Sequence, residues 1–126
     1  MFRKTHTPES IEDEFPGEAE KVAKVKHLCW IAKMSAEAYG EMSEEDKQED
    51  FGQYEYKRYR EFMSKAINLA RELRDTFYRD AALHQLILLL MVANEEKLAK
   101  DLFKVVEVDV IQDAILKDHP RLAAKF

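Results

Sequence analysis

A chain of 126 residues is long enough for one domain with its own core, and a domain of this size buries roughly two thirds of the surface its unfolded chain exposes. With 46% hydrophobic and 36% charged residues it is too apolar for wholesale disorder and too charged for a membrane protein; three glycines and three prolines leave little punctuation for a β-sandwich. The net charge of −5 arises in the N-terminal part, since residues 1–50 carry 13 acidic and 7 basic side chains and residues 51–126 carry 12 and 13, which speaks against a general nucleic-acid binder.

Residues 1–16 combine polar side chains with Pro8 and Pro16 and show no sustained periodicity. They are expected to form a flexible arm, with Ile11 and Phe15 as docking points, ahead of a single helical domain over 17–126. From Gly17 onward Val22, Val25, Leu28, Cys29, Ala32, Ala36 and Tyr39 recur at intervals of three and four, the stripe of a helix ending near Gly40. The segment EMSEEDKQED is a charged connector in which Ser43, followed by Asp46, can cap a short turn. Beyond Gly52, the residues Tyr59, Phe62, Met63, Ala66, Ala70, Leu73 and Phe77 keep the helical period, predicting a second helix from about Tyr54 to Asp75. Its outer pairs are Glu61 with Lys65 and Arg71 with Asp75.

A third helix, about Tyr78 to Ala93, is apolar on nearly every side and should be central. Asn94 is the expected cap of a fourth, running through Leu98, Leu102, Phe103 and Val106, and a fifth spans about Val110 to Lys117 before Pro120. The stretch FKVVEVDV is rich in β-branched residues but has no partner strand, so helix is expected there too. The fold class is therefore all-α, with about five antiparallel helices arranged as helical hairpins or as a compact bundle.

Laid over itself with an offset of 33, the chain brings Ala66 onto Ala99, Leu69 onto Leu102, Asp80 onto Asp113, Ala81 onto Ala114 and Leu83 onto Leu116, with Arg71 on Lys104 and Leu73 on Val106 as conservative matches. The segments AINLARELRDTFYRDAAL and AKDLFKVVEVDVIQDAIL resemble degenerate TPR-like helical-hairpin repeats over residues 66–116, at the level of the superfamily. The glycine usual in the first helix of such a unit is replaced by Ala70 and Phe103, and the closing proline is missing. The resemblance implies a surface for a protein or an acidic peptide, lined by the second and fourth helices. Arg71 and Lys104, with Asn68, Arg74 and Lys100, would form a basic patch there.

The run YEYKRYREF, residues 54–62, interleaves aromatics with cations, and its Tyr56, Lys57, Arg58 and Arg60 are candidates for a protein interface or for stacking on single-stranded bases. Metal ligation lacks a full donor set: Asp80 and His84 lie four apart and His27 lies two before Cys29, without an HExxH or CxxC motif. Cys29 falls on the apolar stripe of the first helix, where a buried structural thiol is expected rather than a nucleophile. No Gly-rich phosphate loop is present. No catalytic, cofactor-binding or metal-binding residue is assigned.

A single cysteine, no apolar stretch behind the charged opening residues, and a longest apolar run of eight residues, Leu86 to Ala93, where a bilayer needs about 20, predict a cytoplasmic protein without a membrane span. The function expected is that of a non-catalytic interaction module: an adaptor, an inhibitor or a small subunit of a larger assembly. A nucleic-acid-associated subunit using residues 54–62 is the alternative, and a helical-bundle enzyme or metal protein the third reading. Self-association is also expected, because two hairpins leave apolar ends that another copy would cover.

Overall fold

The computed structural model describes residues 17–123, so the expectations for the arm at 1–16, Ile11 and Phe15 included, lie outside the described residues. The chain is all-helical, with no strand among the described residues. Among the described residues six α-helices follow in order: α1 (Glu18–Gly40), α2 (Glu44–Gln48), α3 (Asp50–Ala70), α4 (Thr76–Val92), α5 (Glu96–Phe103) and α6 (Asp109–Asp118), with a 3-10 turn at Pro120–Ala123. The expected five become six because the acidic connector forms a helix of its own. Ser43 Oγ accepts the Asp46 N–H at 3.0 Å, and Glu44, Glu45 and Asp46 occupy the first turn, where the helix dipole favours negative charge.

The second expected helix starts earlier and stops earlier than its pattern suggests. Gly52, read as a boundary, lies inside α3 because the backbone of α2 crosses it closely. A Cβ at this position would stand 2.4 Å from the Asp46 carbonyl oxygen and 2.6 Å from the Lys47 Cα, so only glycine fits. At the other end the helix closes at Ala70, and Asp75 belongs to the next element: its Oδ2 accepts the Tyr78 N–H at 3.0 Å and caps α4. The expected Arg71–Asp75 pair therefore loses its helical spacing, whereas Lys65 and Glu61 do pair, at 3.1 Å.

Asn94 also changes role. It ends α4 rather than starting α5, standing in the left-handed region at φ 62°. The Glu95 N–H reaches the Leu90 carbonyl at 2.8 Å and the Asn94 N–H reaches that of Met91 at 3.2 Å, the paired bonds of a Schellman ending. Asparagine tolerates this conformation better than a branched residue would.

Helix α4 touches α1, α3, α5 and α6, which is why it is apolar nearly all round. Leu86, Ile87, Leu89 and Leu90 are buried in it, each contributing roughly 1.5–3 kcal/mol of transfer free energy. Six buried alanines, at 32, 36, 66, 70, 82 and 99, leave room for backbones to come close. Helix α1 lies along α3 and α4, antiparallel to α3, with Lys21 against Glu72 at one end and the Tyr39 ring 5.2 Å from that of Tyr56 at the other.

The stretch FKVVEVDV is divided between elements: Phe103 closes α5, Asp109 opens α6, and residues 104–108 form a turn. This turn shares its hydrogen bonds with the one after α3. The N–H groups of Arg71, Glu72 and Leu73 reach the carbonyls of Ile67, Leu69 and Ala70; those of Lys104, Val105 and Val106 reach Lys100, Leu102 and Phe103. Every member of the second set stands 33 residues after its counterpart.

Candidate functional site

Among the described residues three helices leave an apolar groove uncovered. Helix α5 has only eight residues and buries only Ala99 fully, so Leu98 and Leu102 on it and Val105 in the turn that follows are left partly open, Leu98 at 37% and Val105 at 52% exposure. Across from it stand Leu83 and Leu86 of α4 and Ile67 of α3, enclosing about 310 Å³. Arg71 and Arg79 complete the lining. The lining comes from one face of each element: Leu98 and Leu102 of α5 with Val105 of the turn behind it, Arg79, Leu83 and Leu86 of α4, and Ile67 and Ala70 of α3 with Arg71 just past its end.

Arg79 is tied into the frame of the groove. Its Nε and Nη2 donate to Asp80 Oδ1 at 3.2 and 3.1 Å, Nη2 lies 3.3 Å from Glu107 Oε2, and the Val105 carbonyl accepts from it at 3.4 Å. Burial disfavours its charge, but the hydrogen bonds and charges of Asp80 and Glu107 outweigh that and raise its pKa above the usual arginine value. Asp80, fully buried, accepts the Glu107 and Val108 N–H groups on Oδ2 at 2.7 and 2.8 Å. Its Oδ1 is thus taken by Arg79 and its Oδ2 by the turn. Arg71, at the opposite rim, is exposed and supplies a cation to the groove mouth.

The nine candidate side chains do not form one patch. Arg71 reaches the groove; Lys104 is exposed on α5's end, 4.0 Å from Asp101, outside the groove lining. Lys100 leaves α5 on the side away from Leu98 and pairs with Glu96 at 3.4 Å, and Glu96 also meets Arg121 at 3.0 Å. Asn68 lines a different cleft, between α1 and α3, with Lys24 and Lys65, and Arg74 lies exposed in the turn after α3. Tyr56, Lys57, Arg58 and Arg60 occupy the far half of α3, about 20 Å from Arg71 at 1.5 Å of rise per residue.

Part of the aromatic run 54–62 is engaged within the chain, while Tyr54 and Tyr56 stay 54% and 39% exposed. Tyr59 is buried and donates its hydroxyl to Glu95, and its own pKa is raised by burial and by that carboxylate. Arg58 donates to the Tyr54 hydroxyl at 3.1 Å and lies over the Phe62 ring; Tyr56 stands between Tyr39 and Tyr59. Lys57 and Arg60 are exposed. Sequence reasoning found Arg71 through the repeat and put Leu98 and Leu102 on the fourth helix, but a helical period does not distinguish a covered stripe from an open one.

Cys29 is buried, and burial pushes its thiol up to about 12, far from the thiolate a nucleophile needs. Among the described residues no group of three or more His, Cys, Asp or Glu side chains converges as a metal site would, and no helix is long and apolar enough to cross a membrane. No family model matches the chain, and there is no significant match to it among curated proteins or among solved structures.

Proposed function

We propose that this chain is a non-catalytic interaction module, built on TPR-like helical hairpins, which holds an acidic amphipathic segment of another protein in the groove between α3, α4 and α5. The observation behind this reading is the uncovered apolar stripe of Leu98, Leu102 and Val105 facing Leu83 and Leu86, with the exposed Arg71 at its mouth. Apolar anchors of the segment would fill the groove, and a carboxylate beside them would meet the guanidinium, whose fork suits that partner. A cytoplasmic setting belongs to the same proposal, resting on a lone, buried, reduced thiol.

Selection of a random peptide library on the immobilised protein tests it. Enriched peptides should combine acidic residues with apolar ones at helical spacing. Val105→Asp, at a position already half exposed, should weaken their binding by about 10- to 100-fold, and Arg71→Glu by about 10-fold. Peptides without acidic enrichment, or ones that bind the two variants as well as the parent, would overturn the reading. Capture of single-stranded oligonucleotide at low salt, abolished by Lys57→Glu with Arg60→Glu, would favour the nucleic-acid alternative instead.

A further inference from the structure

Helix α1 has apolar residues on two sides. Val25, Cys29, Ala32 and Ala36 are buried against the rest of the bundle, whereas Trp30 and Met34 are 56% and 52% exposed on the outer side. With 3.6 residues per turn, Lys26, Trp30, Met34, Glu37 and Glu41 all fall within about 60° of the Trp30 direction, and each is exposed. Read along the helix, this outer face runs from Lys26 through the apolar pair Trp30 and Met34, with Lys33 at its margin beside Met34, to the carboxylates Glu37 and Glu41. Beside the apolar pair lies an open cleft of about 420 Å³ between α1 and α3, walled by Met34, Ala38, Tyr54 and Arg58.

We infer that this face is a homodimer interface, in which α1 of one copy packs antiparallel on α1 of a second across a two-fold axis near Trp30 and Met34. The charge order selects the occupant. A two-fold axis perpendicular to the helix reverses direction, so the basic end of one copy meets the acidic end of the other, Lys26 opposite Glu37 and Glu41 of its mate. A parallel arrangement would set like charges together. The cleft supplies the pocket that an interface anchor needs: tryptophan and methionine from one copy enter beside Tyr54 of the other, the pairing of aromatic anchor and pocket that dominates interface energetics. This surface is separate from the α3–α4–α5 groove and does not depend on the function proposed for it.

Sedimentation equilibrium of the full chain over a concentration series at low salt tests the inference, with fluorescence of Trp30, the only tryptophan, as a second reading. The mass should rise from 14.8 kDa to twice that value, and the emission should shift to the blue over the same concentrations as the indole leaves water. Trp30→Ser should remain monomeric with an unchanged helical circular dichroism spectrum. Glu37→Lys with Glu41→Lys should weaken self-association by at least about 10-fold, and mixing that variant with Lys26→Glu, Lys33→Glu should restore a dimer through opposite charges. These four charge positions are exposed, so the charge variants report even if Trp30→Ser were to misfold. A mass of one chain throughout, a Trp30 emission that ignores association, or charge-reversed chains that fail to pair would overturn it.

Discussion

The turn after α3 and the turn after α5 have the same backbone hydrogen bonds, yet they are anchored by carboxylates of different origin. In the first, Glu18 reaches over from the first turn of α1 and accepts the Arg74 and Asp75 N–H groups at 3.0 and 3.1 Å. In the second, Asp80 of α4 accepts those of Glu107 and Val108, the residues 33 positions later. Both carboxylates are buried, at 2% and 0% exposure. Two successive amides facing inward must find an acceptor or lose about 1–3 kcal/mol each, so a buried acidic side chain is the common solution. What differs is dependence. The first turn is tied to the docking of α1, some 56 residues away in sequence, while the second is tied within its own hairpin stack, and Asp80 has Arg79 beside it to balance its charge.

Breaking each anchor measures that difference. Asp80→Ala should be the more damaging, at about 3–5 kcal/mol in urea unfolding, since it strands two amides and leaves the partly buried Arg79 without its main counter-charge. A loss under about 1 kcal/mol would mean that water replaces the carboxylate and that the second turn is held by packing alone. Glu18→Ala should cost about 1–3 kcal/mol, because no adjacent cation is orphaned in the same way. Its signature is local: amide exchange should accelerate at Arg74 and Asp75 and remain unchanged at Glu107 and Val108. If both pairs accelerate together, the turns open as one unit and the contrast between them disappears.

These anchors were the least legible features of the sequence, and the reason is physical. Glu18 and Asp80 sit among other charges, and a carboxylate in such company reads as solvated. Its burial is decided by which amides arrive from 56 or 27 residues away. The helices were legible because their signal is local: Val25, Cys29, Ala32 and Ala36, or Tyr59, Met63, Ala66 and Ala70, repeat at the spacing that puts them on one side, and all are buried. The Ser43 cap was legible for the same reason. Gly52 was not, since the close approach of α2 is a tertiary fact. Nor was the open state of Leu98 and Val105, or the second apolar side of α1, because periodicity predicts a face without saying whether anything covers it. Arg71 was reached through its matched position with Lys104, but the folded chain brings only the former to the groove.

The smallest effect distinguishes the two turns through pH. His84 lies one helical turn beyond Asp80 on α4, and its buried Nε2 has no hydrogen-bond partner among the described residues. Burial lowers its pKa below the usual histidine value; the carboxylate of Asp118 opposes this and the charge of His119 adds to it. Both neighbours sit at the C-terminal end of α6, so protonation of His84 would place a charge in the partly buried contact between α4 and α6 that the Asp80-anchored turn joins. The unfolded chain takes up this proton first, near pH 6.5, while the folded chain resists it. Stability is therefore fully present above that pH and declines as the pH falls from there through the lower pKa of the folded state. Urea midpoints measured from neutral to mildly acidic pH should show a decline that is shallower in His84→Gln, and the imidazole resonances of His84 should titrate below the usual histidine range. Equal slopes for parent and variant would remove this asymmetry and leave the two hairpins equally sensitive to acid.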